Sequence, residues 1–504
     1  MHNSESRSAL GAPGTGTEID PEHLGVLVAA TRASTVGARR HAGVVEPFVA
    51  VVIPAHNEQE HIEACLRSVR TQSRPVDLVI VVADNCTDAT VPEAVAAGAT
   101  VVATVGNCDR KAGALNFVLN RILTHLDAED AVLLMDADTE LDDNFVAVAA
   151  RHLWAEKGDG EAPVGGVGGI FVGSRHLTDP EGRWSLVRHL QHNEYVRYAR
   201  HVGRRRGRAL VLTGTGTLFR VGALRDVAGA RQVGELPDEA GSRSVYDTAS
   251  LTEDNELTLS LKRLGYRTLS PRKCLVYTAM MPTVPRLFEQ RRRWQRGALE
   301  NLGSHGVVRP TAPYLARQVG TYLGVLFLPL YVMTLTTTLV RFGSVDWFHP
   351  LWVTVAVTYL VEQAWSVRRG GWRSVGLSLA VLPELWHTIL LNWVYAASLL
   401  GVLTGSGEQW GRGVDERAAN HLADQGGRIR RHGHGVPTQS DLSGAHDHRQ
   451  WWRLALVPVV VMLAAGLIIV LPLVALSVAW SAIAVFVLAG FGLTIVRLIP
   501  LPTA

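Results

Sequence analysis

The sequence predicts an α/β domain with a mostly parallel sheet, joined on its C-terminal side to an α-helical membrane domain. Over the first half of the 504-residue chain, short apolar runs rich in β-branched residues alternate with segments of helical periodicity. This alternation is typical of a parallel sheet covered by helices on both faces. Long uncharged segments follow in the second half, and about 20 such residues suffice for one helical membrane crossing.

The composition agrees with this division. Charged residues make up 19% of the chain and hydrophobic residues 47%, whereas soluble globular chains usually carry about 25% charged residues. The formal net charge of +3 is too small to indicate a nucleic-acid partner. We therefore expect membrane lipids, and not nucleic acid, among the partners.

Four buried strands and three helices are predicted for the soluble part. The strands are runs of apolar residues that end at a proline or a polar residue, and the helices have apolar residues three and four apart. The strands cover 48–53, 78–82, 100–105 and 131–135, and the helices cover 58–70, 89–97 and 111–126.

The chain is divided by composition into six segments. They are a mostly flexible leader (1–46) with one short helix around 21–33, a catalytic domain (47–283), an amphipathic interfacial helix (284–310), transmembrane or interfacial helices (311–405), a polar cytosolic segment (406–450) and two transmembrane helices (451–504).

Four to six membrane crossings are expected. Residues 318–340 are uncharged over 23 positions, whereas 347–361 must extend to Val367 to cross. Residues 374–405 contain Pro383, Glu384 and His387, which predicts a hairpin, a re-entrant segment, or an interfacial helix followed by a span. The arginine bias of the connecting segments places the catalytic domain in the cytoplasm of a plasma-membrane protein.

Acidic residues follow the predicted strands at the edge where parallel sheets bind ligands. Asp84 follows the second strand, Asp136 and Asp138 follow the fourth, and Glu253 and Asp254 lie further along the chain. Two carboxylates at one strand end suit a hard cation such as Mg²⁺ or Mn²⁺, with substrate phosphates as further ligands.

Three other motifs carry candidate residues. Lys111 stands near a helix start, where it could pair with a diphosphate or with a nearby acid. The segment 213–217 (Thr-Gly-Thr-Gly-Thr) would let the backbone approach a ligand closely. Gln290, Arg293 and Trp294 lie on a basic amphipathic stretch; arginine suits phosphate oxygens and tryptophan suits a sugar ring.

Together these motifs resemble the membrane-bound family 2 glycosyltransferases with a Rossmann-like GT-A fold, which include synthases of cellulose, hyaluronan, chitin and poly-N-acetylglucosamine. The resemblance rests on Pro-Ala-His-Asn-Glu at 54–58, Asp84, Lys-Ala-Gly-Ala-Leu-Asn at 111–116, Asp-Ala-Asp at 136–138, Thr-Glu-Asp at 252–254 and Gln-Arg-Arg-Arg-Trp at 290–294.

The resemblance implies a role for each motif. Asp84 would hold the uridine of the donor, with Lys111 and Asp136 also on the donor side, and Asp138 with Asp136 would coordinate the metal. Asp254, with Glu253 beside it, would be the general base. The acceptor and the departing diphosphate would be contacted by Gln290, Arg293 and Trp294.

The predicted function is inverting, metal-dependent transfer from UDP-GlcNAc or UDP-glucose to a growing β-linked polysaccharide, with an accessory secretion subunit as a possible partner. Two alternatives stay open. One is non-processive transfer of a single sugar to a lipid acceptor. The other is a transport or assembly subunit with an inactive nucleotide-sugar domain, against which the complete acidic set argues.

Overall fold

The computed structural model describes residues 16–405, apart from 44–45, 156–159, 174–183, 205–206, 345–347 and 349. The chain divides into two compact units with a boundary after Val394, and the described part of the second unit is the end of one helix. The predictions for 406–450 and 451–504 lie outside the described residues.

Eleven strands and thirteen α-helices are found in the described part of the chain. The strands are β1 Thr17–Glu18, β2 Val49–Ala55, β3 Leu78–Ala83, β4 Thr100–Ala103, β5 Ala131–Met135, β6 Thr139–Leu141, β7 Val164–Gly168, β8 Ile170–Phe171, β9 Gly216–Arg220, β10 Arg267–Leu269 and β11 Leu275–Thr278. The helices are α1 Leu24–His41, α2 Ile62–Arg70, α3 Thr90–Ala96, α4 Arg110–Ile122, α5 Phe145–Leu153, α6 Leu186–Arg204, α7 Val221–Gln232, α8 Glu253–Arg263, α9 Val284–His305, α10 Ala312–Phe342, α11 Pro350–Val367, α12 Trp372–Leu379 and α13 Leu382–Thr404.

The main sheet has eight strands in the order β1-β4-β3-β2-β5-β9-β7-β10. Among these described strands, β9 runs antiparallel to its neighbours β5 and β7, and the other pairs are parallel. The predicted mostly parallel α/β sheet is therefore confirmed. A second sheet, β6-β11-β8, continues from the end of β5.

Both faces of the main sheet are buried. Successive side chains of a strand point to opposite faces, and here each face packs in an apolar core. On β2, Ala50 and Val52 belong to one apolar core, and Val49, Val51 and Ile53 belong to the other. This explains why the strands are continuous apolar runs in the sequence, and it leaves their carboxyl ends as the polar edge.

The leader differs from the prediction over the part that the structure describes. Instead of a mostly flexible segment with one short helix, β1 pairs with β4 and α1 runs for 18 residues. Leu24 and Val28 of α1 are fully buried in a core of the sheet. The segment therefore belongs to the α/β domain.

The helices of the C-terminal half overlap the predicted apolar segments. The uncharged run 318–340 lies within α10, α11 extends to Val367 as its crossing would require, and α12 followed by α13 covers 374–404. By length and composition, α13 could cross a membrane, and it is the one such helix among the residues described. Large apolar side chains are exposed on these helices, including Val340, Phe342, Val361, Trp372, Leu382 and Trp393.

Candidate active site

The strand ends bring the predicted acidic residues to one edge of the main sheet. Asp84 directly follows β3, Asp136 follows β5, and Asp138 lies in the turn that leads to β6. Glu253 and Asp254 are the first two residues of α8. Helix starts favour acidic side chains because the amide dipoles point there with their positive ends.

Asp84 is buried and held by polar neighbours. Its carboxylate accepts hydrogen bonds from Thr104 Oγ1 at 2.6 Å and from Asn107 Nδ2 at 2.9 Å. Its backbone carbonyl lies 2.6 Å from His56 Nδ1. Asn107 also donates to the carbonyl of Arg110 at 2.8 Å, which ties Asp84 to the beginning of α4.

Lys111 joins two of the acidic motifs. Its Nζ lies 2.6 Å from Asp136 Oδ1 and 2.9 Å from Glu253 Oε1. The sequence left two kinds of partner open for this lysine, a diphosphate or a nearby acid. In the structure it is paired with two acids. The bridge brings β5, α4 and α8 together at the sheet edge.

The segment 213–217 lies beside Asp254 and Lys111. Asp254 Oδ2 accepts a hydrogen bond from the backbone amide of Gly214 at 2.9 Å. A Cβ atom at Gly214 would lie 3.0 Å from Lys111 Nζ and 3.4 Å from Asp254 Oδ2. The glycine therefore permits the close approach that the motif predicted, although its neighbours are the lysine and the carboxylate of the protein itself.

The pKa values of the two adjacent carboxyl groups of α8, Glu253 and Asp254, are shifted in opposite directions. Burial raises the pKa of Asp254 to about 6, and the charge on Glu253 adds to this effect. For Glu253, burial is outweighed by the charge and the hydrogen bond of Lys111, so its pKa is lowered. A pair of carboxyl groups with pKa values pushed apart is a common arrangement where one of them acts as an acid or base near neutral pH.

Asp136 and Asp138 form a donor set that fits a divalent cation. Burial raises the pKa of Asp138 to about 6, with further contributions from the charges on Asp136 and Glu58, and a cation would relieve this crowding. Among the described residues, no three His, Cys, Asp or Glu side chains are grouped as a metal site. Mg²⁺ commonly takes only one or two carboxylates and completes its shell with water and phosphates.

Helix α9 carries the remaining candidates. Trp294 is 36% exposed, and the guanidinium of Arg291 lies 4.4 Å from the centre of its ring. Gln290 Oε1 accepts a hydrogen bond from Arg291 at 2.7 Å. The positive charge of Arg293 contributes to the lowered pKa of Glu253, after the larger effects of burial and Lys111.

The packing of α9 against the start of α8 fixes this geometry. Asn301 donates to the carbonyl and to Oγ1 of Thr252, each at 3.1 Å. A Cβ atom at Gly297 would lie 2.4 Å from Thr252 Oγ1, so only glycine allows the observed distance. Thr252 directly precedes Glu253 and Asp254.

Two cavities adjoin these residues. The smaller is lined by residues of four motifs, including Pro54, Lys111, Gly214 and Asp254, whereas Asp84, Asp138 and Trp294 do not line it. The larger is a cleft of about 290 Å³ beside the partners of Asp84. Its lining includes Thr104, Asn107, Asn116, Phe117, Ser242 and Ser244.

Several positioning residues were not predicted from the sequence. His56 lies in a predicted motif but had no assigned role. Asn107 and Asn301 carry no pattern that distinguishes them from other polar loop or helix residues. Gly297 follows the Gln-Arg-Arg-Arg-Trp motif closely, and a glycine inside a basic helix is the one signal that could have indicated a close helix contact.

The sheet topology and the carboxylates at its strand ends define a GT-A-like α/β domain. Residues 47–297 match the family described as "Glycosyltransferase like family 2". This segment, just under half of the chain, is therefore a family 2 glycosyltransferase-like domain, and it contains every strand of the main sheet except β1, together with the acidic cluster and most of α9.

Two solved structures illustrate the similarity. One is the mannosyltransferase PcManGT from Pyrobaculum calidifontis in complex with GDP-Man and Mn²⁺, at 19% identity, a TM-score of 0.44, and coverage of 76% of this chain and 98% of that one. The other is glucosyl-3-phosphoglycerate synthase from Mycobacterium tuberculosis with Mg²⁺ and UDP, at 20% identity, a TM-score of 0.34, and coverage of 59% and 88%. The comparison with curated proteins gave no match.

Proposed function

We propose that the protein is an inverting, metal-dependent glycosyltransferase that transfers a sugar from UDP-GlcNAc or UDP-glucose to a growing β-linked polysaccharide at the membrane. The observation that carries the proposal is the convergence of Asp136 and Glu253 on Lys111, at 2.6 and 2.9 Å, next to Asp254, whose pKa is raised.

In this proposal Asp254 is the general base. Inverting transfer needs an acceptor hydroxyl that loses its proton as its oxygen attacks the anomeric carbon, so a positioned carboxylate is required. The amide of Gly214 fixes one oxygen of Asp254. Glu253, whose pKa is lowered, stays ionised and holds Lys111.

The donor would be held at the sheet edge. The 290 Å³ cleft beside the partners of Asp84 is suited to the nucleoside, because its lining combines polar groups with the aromatic residue Phe117. Asp136 and Asp138 would hold Mg²⁺ or Mn²⁺, which when bound neutralises charge on the diphosphate leaving group. Lys111, which is paired with Asp136 and Glu253, would also lie within reach of the diphosphate.

The acceptor would lie against α9, with Trp294 as a stacking surface for a sugar ring and Gln290 and Arg293 near the diphosphate. The exposed apolar side chains of α10 to α13 support lipid contact, since soluble surfaces seldom present so many. A plasma-membrane location with the catalytic domain in the cytoplasm is part of the proposal, as is an accessory subunit that receives the polymer.

The test is a donor screen with product sizing. The full-length protein in detergent is incubated with Mn²⁺ and labelled UDP-GlcNAc, UDP-glucose or GDP-mannose, and products are separated by length. We expect a polymer from one of the UDP-sugars and no product after chelation of the metal. A single transferred sugar in the lipid phase would favour the lipid-acceptor alternative, and the absence of both transfer and donor hydrolysis would contradict the enzyme assignment.

A further inference from the structure

The strongest unassigned feature is a set of contacts between α6 and the beginning of α9. Gln191 on α6 forms two hydrogen bonds with the backbone of Met281, donating to its carbonyl at 2.8 Å and accepting from its amide at 3.0 Å. One turn further along α6, Glu194 Oε2 accepts from Arg291 Nη2 at 3.1 Å. The two helices are therefore joined just before α9 and again within it.

The guanidinium of Arg291 is held from three sides. Besides Glu194, it donates to Gln290 Oε1 at 2.7 Å and to Tyr195 Oη at 3.3 Å. Arg291 is only 5% exposed, so its charge has little access to water and depends on Glu194 for compensation. These contacts fix both the position and the plane of the guanidinium.

The fixed guanidinium in turn contacts Trp294. Its central carbon lies 4.4 Å from the centre of the indole ring, a distance at which a cation is attracted to the ring face. Because 36% of Trp294 remains exposed, one part of the ring is supported by Arg291 while another part stays open to a ligand.

We infer that Glu194 is a positioning residue that sets the orientation of Trp294 through Arg291, and so controls acceptor affinity without touching the substrate. This inference rests on the proposed function, which assigns Trp294 to the acceptor site. Arg291 occupies a variable place in the Gln-x-x-Arg-Trp motif, and no pattern in α6 predicted a role for Glu194.

The first experiment observes Trp294 directly. The full-length protein is labelled with 5-fluorotryptophan, and the ¹⁹F resonance of Trp294 is identified by its loss in Trp294→Phe. We expect Glu194→Gln to shift or broaden this resonance and to leave the other tryptophan resonances in place. Glu300→Gln is the matched control, because Glu300 pairs with Arg296 on the same helix at 2.8 Å and has no contact with Trp294 among those described. An unchanged Trp294 resonance in Glu194→Gln would overturn the inference.

The second experiment measures transfer to a β-linked tetrasaccharide of the sugar that the donor screen identifies. In Glu194→Gln we expect the KM for this acceptor to rise about tenfold, as when a charge-assisted hydrogen bond is replaced by a weaker one without the negative charge, with kcat changed less than twofold. UDP affinity in the presence of Mn²⁺ stays unchanged, which also shows that the variant is folded. Glu194→Asp should recover part of the affinity.

A double-variant comparison separates positioning from a general structural effect. If Glu194 acts through Trp294, Glu194→Gln adds nothing to the defect of Trp294→Ala, and an additive defect would contradict the inference. Glu194→Leu combined with Arg291→Met removes the buried charge of Arg291 together with that of its half-buried partner, which usually preserves folding, and should still raise the KM. Failure of the wild type to transfer any sugar would refute the proposed function, whereas the ¹⁹F result decides the positioning role independently.

Discussion

Asp254 is the residue on which the proposed chemistry depends most directly. Replacing it with Asn keeps the shape of the side chain and an oxygen that can accept from the Gly214 amide, which the native carboxylate does at 2.9 Å, but removes the base. We expect the transfer rate of Asp254→Asn to fall by about 10³-fold, within the range usual for loss of a general base. UDP affinity with Mn²⁺, measured by calorimetry, should change less than about twofold.

A suitable control for Asp254→Asn is Asp226→Asn, which makes the same chemical change at an exposed position of α7. Its transfer rate should equal that of the wild type. Sugar transfer at a normal rate by Asp254→Asn would remove the assignment of the base.

The same residue predicts the pH dependence of transfer. A general base works in its ionised form, and burial together with the charge on Glu253 raises the pKa of Asp254 to about 6. The value of kcat/KM should therefore be steady above about pH 7 and fall about tenfold per pH unit well below pH 6. The profile is measured at saturating Mn²⁺, and a rate that is flat down to pH 5 would show that Asp254 does not limit the reaction as a base.

At the level of single residues, the sequence located the acidic cluster but not its supports. The convergence of Asp136, Glu253 and Lys111 could be anticipated in part, because polar residues after parallel strands meet at one edge. The contacts of Asn107 and Asn301 could not, since they depend on where a loop and a distant helix come to lie. The choice of acids as partners for Lys111 likewise required the position of α8.

The contact between α9 and the start of α8 is the main prediction at the level of elements. In Gly297→Ala the new Cβ atom would lie 2.4 Å from Thr252 Oγ1, so α9 or the Thr252 segment must move. We expect the free energy of unfolding to drop by about 1–3 kcal/mol, as for overpacking elsewhere, and the transfer rate to fall because Thr252 directly precedes Glu253 and Asp254. Thermal unfolding and the transfer assay measure the two effects.

Gly229→Ala is the matched control for Gly297→Ala. Gly229 is an exposed glycine within α7, and a Cβ atom there would meet nothing within 4 Å. Alanine favours the helix by about 0.5–1 kcal/mol over glycine, so this variant should be as stable as the wild type or more so. Equal behaviour of the two variants would show that the α8–α9 contact is not tight.

The elements also show where sequence patterns are sufficient. The four predicted strands are found as β2 to β5, because strands buried on both faces are continuous apolar runs. Strands β6 to β11 were not predicted; they are two to five residues long, and several contain glycine or polar residues. Their pairing is decided by neighbours distant in the chain, as for β9 between β5 and β7. Helix α1 was mostly missed because its sequence, rich in Gly, Ala, Ser and Thr, lacks a sustained apolar period.

For the molecule as a whole, the proposed membrane orientation depends on the described helices α10 to α13 and on the arginine bias of the sequence. In the proposed orientation, which the arginine bias favours, the catalytic domain is in the cytoplasm and the connection between α10 and α11 is on the opposite side. The four cysteines of the chain all lie in the catalytic domain, and Cys108 is exposed while Cys65 and Cys274 are buried and Cys86 is half-buried. Cys108 is therefore a natural reporter for one side of the membrane.

Labelling with a membrane-impermeant maleimide tests this orientation. In intact cells that express the protein, Cys108 should stay unlabelled and should react only after permeabilisation. Phe348 is 87% exposed and lies between α10 and α11, so Phe348→Cys in a Cys108→Ser background should react in intact cells, with Cys108→Ser alone as the unlabelled control.

Labelling of Cys108 in intact cells would place the catalytic domain outside, where a cytoplasmic UDP-sugar pool could not reach the acidic cluster. Equal protection of both positions would mean that α10 and α11 do not cross, and a carbonate wash that releases the protein would exclude membrane insertion altogether.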